Sequence, residues 1–117
     1  MTIEQFIALL GQDLISEFTA ISHYVTYAAI IRGINRPELK EIFEEEAGDE
    51  LKHAQFFADK IAYFGQVPQI VSRPATPAMT PVQMIQNVLK LEIQTVNNYS
   101  QRADQAAALG LHALSVD

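Results

Sequence analysis

The sequence predicts an all-α fold, a helical bundle whose helices are joined by one long crossover. Three long segments place apolar residues at steps of three and four, the spacing that keeps side chains on one stripe of a helix. Between the second and third segments, residues 65–80 include Pro68, Pro74 and Pro77, too many prolines for a helix. With 49% apolar residues in 117 positions, the chain has enough hydrocarbon for a core and reads as one domain, 1–117.

The first stripe reads Ile7, Leu10, Leu14, Glu17, Ile21, Tyr24, Ala28 and Ile31. It predicts a helix over 3–32 with Gly33 as its stop. Pro37 suits a first helical position, because its missing N–H would be unpaired there. From it runs a second stripe, Leu39, Ile42, Glu46, Glu50, His53, Phe57, Ile61 and Phe64, predicting a helix over 37–64 that ends at Gly65. Only 33–36 separate the two, so they form an antiparallel hairpin. The third helix, 81–108, starts from Thr80 as N-cap, Pro81 and Gln83, a capping-box arrangement. Its stripe is Ile85, Val88, Glu92, Val96, Tyr99, Ala103 and Ala106, and Gly110 interrupts it. Residues 111–117 read as the start of a fourth segment.

Fully extended, the crossover spans roughly 50 Å, against about 42 Å for a helix of this length. It can therefore return the chain to where the second helix began, making helices two and three parallel. Its expected role is topological.

Composition removes several function classes. Without cysteine there is no disulfide framework, thiolate zinc site or thiol nucleophile. A net charge of −6 disfavours nucleic acid as a partner and favours cations. No apolar run approaches the ~20 residues that span a bilayer. The N-terminal Glu4 stands where a signal peptide would carry positive charge, so the expected location is the cytoplasm, away from membranes.

Four ionisable residues interrupt the apolar stripes near their midpoints: Glu17, Glu50, His53 and Glu92. At 1.5 Å per residue, all four fall within about two turns of one level in the bundle. Burying three carboxylates with an imidazole costs several kcal/mol per uncompensated ion. Arg32, Arg36, Lys40 and Lys60 lie about two turns or more away. A divalent or trivalent cation offsets that cost. Glu50 and His53, at i and i+3, share a helix face, and a set of carboxylates with imidazole suits iron or manganese.

Each residue also has a plainer explanation. An E-x-x-H pair alone is a weak signal, and Glu50–His53 could be a surface pair; Glu17 and Glu92 in apolar stripes are harder to dismiss. The run Glu44, Glu45, Glu46 and Asp49 reads as solvated surface, with Glu46 and Asp49 otherwise serving to attract cations. Tyr24 and Tyr99 each follow a stripe glutamate by seven residues. They are either core tyrosines with satisfied hydroxyls or electron donors near a metal. His23 and His112 fall off the stripes, as surface or subunit-contact residues, while Met79 and Met84 suit loop and core packing.

The pattern resembles the ferritin superfamily, and within it the bacterioferritins. The carrying residues are Glu17 and Tyr24 within the segment 14–24, Asp49-Glu50-Leu51-Lys52-His53, and Leu91-Glu92. The resemblance implies a four-helix bundle holding two irons, with Glu17 and His53 on the first, Glu50 bridging and Glu92 on the second. It assigns a second bridging glutamate and a second histidine to a fourth helix. It also implies oxidation of Fe(II) by dioxygen or peroxide, and homo-oligomers that store ferric mineral. Glu50 follows Glu17 by 33 residues, and the same offset from Glu92 falls beyond Asp117, so three of the four long helices are expected in this chain. A three-helix unit exposes apolar stripe residues, which favours association. Haem-binding bacterioferritins carry methionine where Leu51 stands, so no haem is expected through that position.

The sequence therefore points to a ferroxidase with a non-haem di-iron carboxylate centre. Two alternatives stay open: a di-iron oxidase or peroxidase acting on an organic substrate, and a non-catalytic helical assembly module with a vestigial metal site.

Overall fold

Thr2 starts the first helix with a complete capping box. Its hydroxyl accepts from the Gln5 N–H, and the Gln5 side chain accepts from the Thr2 N–H. Helix α1 then runs Ile3–Ile30, α2 Arg36–Tyr63 and α3 Pro81–Ala108. The computed structural model describes residues 1–111; among these there is no strand. Residues 112–117, with His112 and the expected fourth segment, lie outside the described residues.

The ends follow local chemistry. After α2, the Gly65 N–H bonds the Ala62 carbonyl and the Gln66 N–H bonds that of Ile61; Gly65 supplies the left-handed φ of 82° that this closure requires. The same pair of bonds recurs around Gly110, where the Leu111 N–H reaches Ala106. Helix α1 stops two residues short of the expected Arg32. There Arg32 and Arg36 donate to the Ile31 carbonyl, and Lys40 to that of Ala28. These cations answer the negative end of α1 rather than any carboxylate in the interior. Thr80 caps α3 as expected, but Gln83 closes back on the Met79 N–H instead of completing the box on Thr80.

Helix α1 is the central rod. Aromatic contacts Phe6–Phe64 and Tyr24–Phe43 set α2 antiparallel to it. Side-chain bonds Asp13–Arg102, Glu17–Tyr99, Tyr24–Glu92 and Tyr27–Asn87 set α3 antiparallel to it too. Helices α2 and α3 are therefore parallel, as the crossover length predicts. They flank α1 with few contacts between themselves.

Two apolar clusters result, one around Tyr24, Tyr27, Ile31, Phe43 and Met84, the other around Phe6, Leu10, Leu14, Phe57 and Ile61. The buried residues differ from the expected stripes by one position at three places. Phe6, Phe43 and Met84 are buried, while Ile42 and Ile85 are exposed and Ile7 is half-buried. In α3, Val82, Ile85, Leu89, Ile93 and Val96 form an exposed row, at the i, i+3/i+4 spacing of a single face. Met84 packs in the core and Met79 is exposed in the loop. Among the described residues, no helix is long and apolar enough to cross a membrane.

His23 departs most from expectation. It is buried, because the crossover lies on that face of α1. Its Nδ1 sits 2.7 Å from the Thr19 carbonyl, which can only accept, so Nδ1 carries the proton. Nε2 then accepts from the Thr76 N–H at 3.0 Å. Tyr27 donates to the Thr76 carbonyl, Thr19 accepts from the Arg73 N–H, and Ser72 donates to the Phe18 carbonyl. The crossover is thus bonded along α1, beyond its topological role.

Candidate metal centre

All four sequence candidates converge between the two apolar clusters. Glu17 from α1 and Glu50 from α2 are buried, at 2% and 3% exposure. His53, one turn after Glu50 on the same face, brings Nδ1 to 3.5 Å from Glu50 Oε2 and 3.8 Å from Glu17 Oε2. Its outer side is open, with the side chain 47% exposed. Glu92 comes from α3, half-buried. Ligand atoms of Glu17, Glu50 and His53 lie within 4.8 Å of one another, and so do those of Glu46, Glu50 and Glu92.

The two tyrosines cross over. Each lies seven residues, about two turns, after a glutamate of its own helix. Yet Tyr24 donates to Glu92 at 2.7 Å and Tyr99 donates to Glu17. Antiparallel packing of α1 on α3 explains the exchange, since each tyrosine ends level with the glutamate of the other helix. Each bond fixes one oxygen of its carboxylate, and the other oxygen of Glu17, Oε2, lies 3.8 Å from His53 Nδ1.

Two buried carboxylate oxygens define the chemistry. Among the described residues, the buried side-chain oxygens lacking a hydrogen-bond partner are Glu17 Oε2 and Glu50 Oε2. A buried acceptor without a donor is expensive, and a carboxylate more so. The proton affinities record the strain. Burial, then the adjoining Glu17, pushes Glu50 up to about 7. Burial likewise raises Glu17 and Glu92, although the tyrosine hydroxyls pull both the other way. Burial raises the Tyr24 and Tyr99 hydroxyls too, and their hydrogen bonds to carboxylates add to it. Oxygen donors with one imidazole and no thiolate make a donor set for iron or manganese.

Sequence reasoning missed two neighbours. Asp13 is buried one turn before Glu17, and Arg102 of α3 donates to it at 2.8 Å. Burial still raises Asp13 to about 6, outweighing Arg102. A signal existed, because Asp13–Glu17 and Tyr99–Arg102 are each one turn apart on antiparallel helices. Glu46, read as solvated or cation-attracting, is half-buried and faces the centre; Asp49 is exposed. Leu51 is exposed on α2 and offers no donor atom.

Known proteins match this architecture. The sequence fits the model of the Ferritin-like domain over residues 7–116. In structure it is similar to a ferritin-like, diiron-carboxylate protein from Bacillus anthracis str. Ames, with 34% identity and a TM-score of 0.93, covering 99% of this chain and 85% of that one. It shares its fold with Rhodobacter capsulatus bacterioferritin, described with a metal-free dinuclear site and haem iron (21% identity, TM-score 0.82, covering 96% and 71%). The same holds for the dodecameric thioferritin, a bacterioferritin-related protein, of Bacteroides fragilis (22% identity, TM-score 0.83, covering 98% and 76%). No functionally curated protein matches the sequence. The antiparallel rods, the crossover and the carboxylate cluster thus agree with the family match along nearly the whole length, and the chain belongs to the ferritin-like domain family.

Proposed function

We propose that this protein is a ferroxidase of the iron-storage or detoxification kind, acting in the cytoplasm on Fe(II) with dioxygen or peroxide as oxidant. The observation that carries this reading is the pair of buried oxygens, Glu17 Oε2 and Glu50 Oε2, that face an imidazole and lack any hydrogen donor. Glu17, Glu50, His53 and Glu92 would hold the metal, and the donor set fits non-haem iron. Two bound Fe(II) ions supply one electron each to the oxidant and leave as Fe(III).

The remaining residues serve that chemistry. Tyr24 and Tyr99 fix the carboxylates of Glu92 and Glu17 in place before metal arrives, so little reorganisation remains. Tyr24 is also the candidate electron donor, one hydrogen bond from Glu92. The raised proton affinity of Glu50 means that cation binding releases a proton near neutral pH. The open side of His53 gives ions a way in. Leu51 takes no part, and no haem is proposed there. Association of identical chains belongs to the proposal, supported by the exposed apolar row of α3.

The test is Fe(II) oxidation. Protein loaded anaerobically with Fe(II) and then given dioxygen or peroxide should consume Fe(II), followed with a colorimetric chelator, and accumulate ferric mineral. Glu50→Ala should slow this roughly tenfold or more, since even outer partners of a ligand cost that much. Unchanged oxidation by Glu50→Ala refutes the assignment, and turnover of an organic substrate without mineral would favour the oxidase alternative.

A further inference from the structure

Asp13 precedes Glu17 by about one turn of α1, and Arg102 follows Tyr99 by about one turn of α3. On antiparallel helices this makes two successive rungs, Tyr99 on Glu17 and Arg102 on Asp13. The second rung is a buried ion pair. Asp13 is 3% exposed, the Arg102 side chain 11%, and Nε stands 2.8 Å from Asp13 Oδ2. Such a pair gains little stability over hydrocarbon of the same volume, so stability alone does not account for it. The first rung supplies a reason. Glu17 keeps Oε2 buried without a hydrogen donor, and a guanidinium is the side chain best suited to provide one. Side chains four residues apart on a helix have β-carbons about 5–6 Å apart, so Glu17 lies within the swing of an arginine bonded to Asp13. Arg102 nevertheless stays on its own rung. Asp13 takes its Nε, and Gln105, one turn further from Tyr99, takes Nη1 at 2.9 Å.

We propose that Asp13 is a positioning residue: by holding the Arg102 guanidinium one turn away from Glu17, it keeps Glu17 Oε2 free for a cation. The inference rests on the reading that a cation binds at Glu17, Glu50 and His53, and adds a residue that acts there only through Arg102. Without the Asp13 carboxylate, Arg102 swings towards Tyr99 and bonds Glu17, giving that carboxylate the donor it lacks. The guanidinium then occupies the place of the metal with a charge of the same sign. Removing Arg102 together with Asp13 takes the competitor away and leaves Glu17 as it was.

Calorimetric titration of the full chain with Mn(II), which suits a set of carboxylates with imidazole, tests this without reference to activity. Asp13→Asn, folded by circular dichroism, should bind Mn(II) roughly tenfold or more weakly than wild type, the scale on which a ligand's outer partners act. Asp13→Ser serves as a second variant should the amide prevent folding. Arg102→Gln should bind at least as tightly as wild type. The double variant Asp13→Asn/Arg102→Gln should regain wild-type affinity although the ion pair is gone. A merely structural tie gives another pattern, in which both single variants weaken binding and the double variant does not recover; that pattern overturns the proposal. A crystal structure of metal-free Asp13→Asn should show the guanidinium on Glu17, and a guanidinium still beside residue 13 overturns it as well. A wild type that takes up no Mn(II) removes the ferroxidase reading, and the place of Arg102 in that structure then decides the proposal by itself.

Discussion

The end of the bundle around Phe6, Leu10, Phe57 and Ile61 and the waist around Glu17, Glu50 and Glu92 are built from the same helices only a few turns apart. Their energetics are opposite. At the end, the clustered side chains are hydrocarbon and gain from leaving water, at about 25 cal/mol per Å². At the waist, buried carboxylates crowd one another and two of their oxygens lack donors. The difference teaches where stability comes from. The apolar ends hold the rods in register, and that register forces acids together at a level where they would not gather by themselves. On the proposed reading, a bound cation would remove that cost.

The comparison breaks most visibly at the apolar end. Leu10 is 2% exposed and about two turns from Glu17. Leu10→Ala should cost about 3 kcal/mol in urea unfolding, from lost transfer energy plus the cavity left behind. Mn(II) stoichiometry of the folded fraction should not change. Loss of metal with no loss of stability would mean that end and waist are not separable in this way.

The waist should behave in the reverse sense with pH. Glu50 binds its proton more tightly folded than unfolded, about 7 against 4.5, and Asp13 does so at about 6 against 3.8. The stability these groups permit is therefore fully present below the unfolded values and is lost as pH rises through the folded ones. Metal-free protein should lose roughly 2 kcal/mol between about pH 5 and about pH 8. Saturating Mn(II) should cancel or invert the trend. A metal-free melting temperature that stays flat, or climbs, over that range contradicts the crowding of carboxylates described above.

Glu50→Gln sharpens the same point at one residue. It keeps the shape of the side chain and removes its charge. The metal-free variant should be more stable than wild type at about pH 8, by roughly 1 kcal/mol, because a neutral amide is less costly to bury. It should also lose most of the stabilisation by Mn(II). A variant less stable than wild type at that pH would show that Glu50 is compensated by something other than a cation.

Much of this contrast was legible in the sequence. Periodicity of three and four exposed the rods, glycines marked where they stop, and a 16-residue proline-bearing connector could lead only back along the bundle. Acids interrupting apolar stripes at matching depth located the waist. What stayed hidden depended on partners. Phe6 and Ile7, or Phe43 and Ile42, are adjacent apolar residues about 100° apart on a helix, and only the packing of neighbouring rods decides which faces inward. Tyr24 and Tyr99 take the glutamate of the other helix, a pairing that follows from the antiparallel course of α1 and α3 and not from the periodicity within either helix. Asp13 and Arg102 are 89 residues apart and become a pair only after the crossover has closed. Glu46 stands on the Glu50 stripe and also within the acidic run Glu44, Glu45, Glu46 and Asp49, and only the packing of α3 against α2 decides between the two settings.

The smallest effect should arise on the outer face of α1, where His23 replaces hydrocarbon with hydrogen bonds as the means of attachment. Its ring spans from the Thr19 carbonyl to the Thr76 N–H, so one side chain ties the crossover to α1. His23→Ala leaves the Thr76 N–H without its acceptor and opens a gap beside Tyr27, whose ring meets the imidazole edge-on at 5.7 Å. The global loss should be about 1 kcal/mol, since Tyr27, Thr19 and Ser72 still hold the segment. The local loss should be larger. Amide exchange at Arg73 and Thr76 should accelerate well beyond what the global change allows, while amides of the α1 core keep their protection. Uniform acceleration would make His23 part of the core; no acceleration would leave the crossover held without it.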